Sequence, residues 1–120
     1  MPLPPMFSNA NSSSPLSFID LSDNHLNSFV FPRLFKYTNC LVFLKLSGNN
    51  LEGSIPRAFG NMVALVHLDL SFNNLEGSIA RAFGNVVALV HLDLSFNKLE
   101  GAIPQTLENL HNLSIRLVIQ

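Results

Sequence analysis

His67, Asp69, His91 and Asp93 are the residues whose types and spacing come nearest to chemistry in this chain. Two imidazoles and two carboxylates are a donor set that can hold Zn²⁺. Both halves are the tripeptide His-Leu-Asp, and the tripeptides stand 24 residues apart inside two copies of one sentence. The copies are LEGSIPRAFGNMVALVHLDLSFNN at 51–74 and LEGSIARAFGNVVALVHLDLSFNK at 75–98. They differ at three positions: Pro56 against Ala80, Met62 against Val86 and Asn74 against Lys98. Duplication alone therefore creates the square, and an open sheet face has no outer ring of groups to orient metal ligands. No metal site is expected. Nucleophilic chemistry has no better support, because Cys40 aligns with Ala64 and Ala88, small positions expected inside the fold. The glycines follow the repeat and not the G-x-x-x-x-G-K spacing of a phosphate loop. The chain is read as non-enzymatic and free of cofactors.

Composition narrows the remaining classes. Apolar residues make up 48% of the 120 residues and charged residues only 12%, about half the usual charged share. That is too apolar for a disordered chain. The seven Lys and Arg residues are scattered and the net charge is −1, so the concentrated basic footprint of a nucleic-acid binder is missing. Cys40 is the single cysteine, which excludes an internal disulfide. The longest apolar runs, MVALV and VVALV, are five residues long, against about 20 for a membrane-spanning helix. The opening MPLPPMFSNANSSSP lacks the basic start and apolar stretch of a secretory signal.

The elements that must position the square come from the repeat. Leu41, Leu65, Leu89 and Leu113 fall 24 residues apart, and Leu16 precedes Leu41 by 25, which places one extra residue in NSFVF. Each unit reads L-x-x-L-x-L-S-x-N-x-L-x-G-x-I-P, more loosely in the first copy, where Ser28 takes the glycine position. Leu44 and Leu46 stand at i and i+2 and so point to one side of a strand. Such a strand cannot bury its leucines alone, and stacking the copies gives a parallel sheet over a continuous apolar column. Asn24, Asn49, Asn73 and Asn97 lie where the chain leaves each strand. Their amides can satisfy turn groups that stacking removes from water, which predicts a ladder of buried asparagines. Gly53, Gly77 and Gly101 mark a bend, and Pro56 and Pro104 fix φ after a buried Ile. Phe35, Phe59, Phe83 and Leu107 predict a second apolar spine on the far side.

The repeat with its LxGxIP tail is identified as a leucine-rich repeat, and it resembles the plant-type extracellular variety. The segments LSFIDLSDNHL and LFKYTNCLVFLKLSGNNLEGSIPRAFGNM are similar to ectodomains of plant receptor-like proteins, especially relatives of the ethylene-inducing xylanase receptor. The resemblance implies an α/β solenoid of about four repeats with a short parallel sheet on its concave face. It also implies an extracellular, glycosylated, plasma-membrane-anchored sensor that binds a protein or peptide ligand and signals through a co-receptor kinase. Three segments are expected: a flexible Pro/Ser-rich stretch at 1–15, the array at 16–113 with units starting near Leu16, Leu41, Leu65 and Leu89, and a degenerate end at 114–120. Arg116 falls where a buried leucine is due, and the cysteine-bearing caps of such arrays are missing, so an interior fragment is expected, with end-to-end self-association open to it. Asn11 and Asn112 fit the N-glycosylation triplet.

Inward leucines leave the intervening residues on the concave surface, in three columns. The first is Phe18, Phe43, His67 and His91; the second Asp20, Lys45, Asp69 and Asp93; the third Asp23, Gly48, Phe72 and Phe96. The expected ligand-binding residues are Phe43, Lys45, His67, Asp69, Phe72, His91, Asp93 and Phe96, with Lys45 and Asp69 as an exposed ion pair. Aromatic rings flanked by charge are the usual interface mixture. Four strands offer roughly 250 Å² of flat area, short of the roughly 800 Å² per partner of a standard interface. Two other readings stand beside ligand perception: an enzyme inhibitor similar to polygalacturonase-inhibiting proteins, and a truncated piece with no independent function.

Overall fold

The computed structural model describes residues 17–37, 39–79, 82–83, 88–103, 105–108 and 114–116. Leu16, Leu113 and the segment 1–15 lie outside the described residues. In chain order the strands are β1 (Phe18–Asp20), β2 (Phe43–Lys45), β3 (Glu52–Ser54), β4 (His67–Asp69), β5 (Asn74–Ser78), β6 (His91–Asp93), β7 (Lys98–Glu100) and β8 (Ser114–Arg116). They form a parallel sheet ordered β1-β2-β4-β6-β8 and a second, three-stranded sheet ordered β3-β5-β7. The fold is the parallel solenoid that the repeat requires.

Register follows from the leucines. Ile19 pairs with Leu44, Leu44 with Leu68, and Leu68 with Leu92, and all four are buried. Leu46, Leu70 and Leu94 turn in behind them, and Leu51, Leu75 and Leu99 repeat the pattern beyond the turn. Each leucine taken out of water contributes roughly 1.5–3 kcal/mol, and none could do so on an isolated coil. Phe59, Phe83 and Leu107 are buried as the spine opposite the first sheet, with Phe35 half-buried against them. Phe59 meets Phe31 and Phe35 edge-on, at ring-centre distances of 5.6 and 5.1 Å. The extra residue of the first coil is accommodated where α1 (Val30–Leu34) forms. Pro32 sits in its first turn, where the missing N–H costs nothing.

Two features of the sheets depart from the sequence reading. The segments around Gly53, Gly77 and Gly101 are more than bends: they pair as the second sheet, with the glycines at φ of 79, 85 and 88°. Ser28 closes the edge of that sheet, its Oγ donating to the Glu52 carbonyl (2.7 Å) and accepting from the Glu52 N–H (3.0 Å). The array also does not break at Arg116. β8 joins the first sheet as a fifth strand, with Leu92 opposite Ile115 and Asp93 opposite Arg116. A step of 23 residues replaces 24 here, because Ile115 can enter the apolar column whereas an unpaired guanidinium buried there would cost several kcal/mol.

Candidate functional site

Turns at the ends of the concave strands set the geometry of that face. Asn49, Asn73 and Asn97 are buried. The Asn73 amide donates to the carbonyls of Leu46, Leu70 and Ser71 at 3.0–3.1 Å, and its Oδ1 accepts from the Leu51 N–H at 3.0 Å. Asn49 and Asn97 make the same set of bonds, so each amide ties its own coil to the one before it. Asn24 differs from the expected buried rung: it is half-buried and bonds only the Leu21 and Ser22 carbonyls of its own turn.

The first concave column is a row of rings. Phe18 stacks on Phe43 at 4.1 Å, Phe43 on His67 at 4.4 Å, and His67 lies 5.4 Å from His91 at a tilt of 47°. Stacking covers the facing sides of the Phe18, Phe43 and His67 rings. Burial, and next to it the neighbouring His91, hold the His67 imidazole below its ordinary value.

In the second column the carboxylates turn out to be clamps. Asp69 Oδ1 accepts from the Ser71 N–H (2.9 Å) and Oγ (2.6 Å), and Asp20 and Asp93 bond Ser22 and Ser95 in the same way. Asp69 lies in register with Lys45, but the bonds that hold its Oδ1 are to its own turn. The Ser22 hydroxyl is the main cause that holds the Asp20 carboxyl below its ordinary pKa, aided by the charge of Lys45. Ser22, Ser71 and Ser95 were not singled out in the sequence, although Asp-Leu-Ser recurs there as a visible signal. Arg116 was likewise missed as a member of this column, beside Asp93.

The third column is left-handed throughout: φ is 56° at Asp23, 69° at Gly48, 55° at Phe72 and 57° at Phe96. Side chains resist this region, and the position exists because each of the N–H groups of Asp23, Gly48 and Phe72 reaches the next coil, at Ser47, Ser71 and Ser95. Phe72 stacks on Phe96 at 4.3 Å and remains 57% exposed.

His67, Asp69, His91, Asp93, Ser114 and Arg116 line a shallow recess of about 190 Å³. No group of three or more His, Cys, Asp or Glu among the described residues could hold a metal ion. Cys40 is half-buried instead of enclosed, and its thiol donates to the Tyr37 carbonyl at 3.6 Å. Asn11 and Asn112 lie outside the described residues. No helix among the described residues is long and apolar enough to cross a membrane. What the geometry offers is a wall of rings and serine-clamped carboxylates with a shallow recess, suited to contact with another chain.

A family model described as "Leucine rich repeat" matches residues 14–75, and a second of the same description matches 88–110. The chain belongs to the leucine-rich repeat family. Its repeats are of the plant type, as in the extracellular domains of plant receptor kinases. The leucine-rich repeat ectodomain of the receptor kinase SOBIR1 from Arabidopsis thaliana is 31% identical with a TM-score of 0.73, over 85% of this chain and 55% of that one. The Arabidopsis receptor kinase HAESA, in complex with the peptide hormone IDA and the co-receptor SERK1, is 29% identical with a TM-score of 0.78, over 99% of this chain and 19% of that one. PEPR1–AtPEP1 is 38% identical with a TM-score of 0.73, over 95% of this chain and 16% of that one. The chain thus spans about half of the first of these and less than a fifth of the others. No curated protein sequence matches it.

Proposed function

We propose that the chain is a non-catalytic protein-interaction module, part of a plant receptor-like ectodomain that perceives a protein or peptide ligand in defence or development. The observation that carries this reading is the concave wall itself: Phe43, His67 and His91 in one row, Lys45, Asp69, Asp93 and Arg116 in the next. Similar folds in HAESA and RGFR1 hold peptide hormones, and HAESA also holds a co-receptor. By the same analogy a co-receptor kinase is the second partner and the outer side of the plasma membrane is the location. The resemblance to the ethylene-inducing xylanase receptor group favours a defence role within this reading.

The test is selection of a random displayed peptide library on the immobilised chain, followed by anisotropy titration of the selected peptides. Replacing Phe43 and His67 together by Ala should weaken them about tenfold, because a few central side chains dominate such surfaces. Replacing Arg57, exposed on a turn outside the first sheet, should leave affinity unchanged. Peptides that bind the Phe43→Ala, His67→Ala chain as well as the parent would refute the reading.

A further inference from the structure

In the third column one position carries no side chain. The N–H groups of Asp23, Gly48 and Phe72 reach successive coils, so Gly48 lies between Asp23 on one side and Phe72 on the other. Phe72 stacks on Phe96 of the next coil and is 57% exposed. Asp23 leans into the same gap: its Oδ1 lies 2.2 Å from where a Gly48 Cβ would stand. Unlike Asp20, Asp69 and Asp93, whose Oδ1 atoms are held by the serine two residues on, Asp23 is followed two residues on by His25 and makes no such clamp. Its backbone N–H donates to the Ser47 carbonyl, and its exposed side chain reaches over the bare Gly48 backbone, in the same column as the exposed Phe72.

From this juxtaposition we infer that Asp23, Gly48 and Phe72 form a notch for an arginine side chain of the docking partner. A guanidinium is planar, stacks on an aromatic face and at the same time donates in its own plane to a carboxylate. Gly48, lacking a side chain, leaves room for the Asp23 carboxylate to lean over its backbone toward the Phe72 side of the column. Lysine can satisfy the charge but not the stacking, and a neutral aromatic can satisfy the stacking but not the charge. The notch rests on the docking reading above and specifies one of its contacts, at the end of the strands and outside the stacked row of Phe43 and His67.

The probe is Nα-acetyl-arginine amide, titrated into the isotope-labelled chain and followed by NMR. It should move the amide resonances of Gly48 and Phe72 in a saturable way, and both Asp23→Asn and Phe72→Leu should weaken it about fivefold. The lysine analogue should bind more weakly than the arginine one. Thermal melts of both variants establish that they remain folded. Equal binding to the parent and to folded Asp23→Asn, or shifts confined to His67 and His91, would overturn the notch. Selected peptides that lose affinity with Phe43→Ala, His67→Ala but not with Asp23→Asn would overturn it while leaving the docking face intact; peptides indifferent to all of these substitutions would overturn both.

Discussion

Removing one buried amide tests how the coils hold each other. In Asn73→Ala the Leu51 N–H loses Asn73 Oδ1, the partner it meets at 3.0 Å, inside a buried layer. The three carbonyls that the amide served are better placed. Leu46 still receives Asn49 Nδ2 at 2.9 Å, Leu70 still receives Asn97 Nδ2 at 2.9 Å, and Ser71 still receives the Gly48 N–H at 3.1 Å. The orphaned N–H therefore dominates, at about 2 kcal/mol, and the net value of the lost bonds adds about 1. Asn24→Ala orphans no such group: Asn24 serves only its own turn, and Leu21 keeps Asn49 Nδ2 at 3.0 Å. Its loss should be about 1 kcal/mol. Urea denaturation followed by circular dichroism should show the two variants about 2 kcal/mol apart with unchanged slopes. Equal losses would refute the claim that Asn73 joins coils and reduce it to a turn residue.

Two further outcomes follow from the same geometry. Leu68→Ala, at 0% exposure between Leu44 and Leu92, should cost about 3 kcal/mol in the same denaturation assay; a loss below about 1 kcal/mol would mean that the column is not packed. The pH dependence has a definite sign. Because folding depresses the His67 pKa below its ordinary 6.5, the unfolded chain binds the proton more readily. His67 therefore contributes stability that is complete above 6.5 and is lost as pH falls from there through the folded value. An NMR titration should place its midpoint below 6.5, and a midpoint at or above that value would contradict the burial argument.

The column of Leu44, Leu68 and Leu92 was legible because a period-two pattern inside a longer repeat leaves one arrangement that buries every leucine. The columns of Phe43, His67 and His91 and of Lys45, Asp69 and Asp93 follow from the same alternation, and the register pairs them as read. What escaped the reading lies where a side chain competes with the backbone. The Asp-Leu-Ser clamp is written in the sequence, but an aspartate beside a lysine reads equally as an ion pair until the serine N–H is seen to reach Oδ1. The second sheet was missed because Glu-Gly-Ser has none of the apolar alternation of a strand; its pairing is imposed by stacking of the coils. Arg116 was misplaced because a fixed period was extended by one repeat too rigidly, whereas an isoleucine one residue earlier could take the buried site. Phe72 and Phe96 at positive φ break a steric preference, and only the Gly48 of the preceding unit hinted at it.

The account stands on parallel, in-register stacking of successive coils, with leucines inside and the docking wall outside. Methyl-to-methyl nuclear Overhauser contacts measured along the sheet address it directly. The expected order is Ile19 to Leu44, Leu44 to Leu68, Leu68 to Leu92 and Leu92 to Ile115, with the rings of Phe43, His67 and His91 in a separate series. Contacts of Leu92 with the Arg116 side chain instead of Ile115, or of His67 with Leu44 and Leu92 in one series, would contradict it.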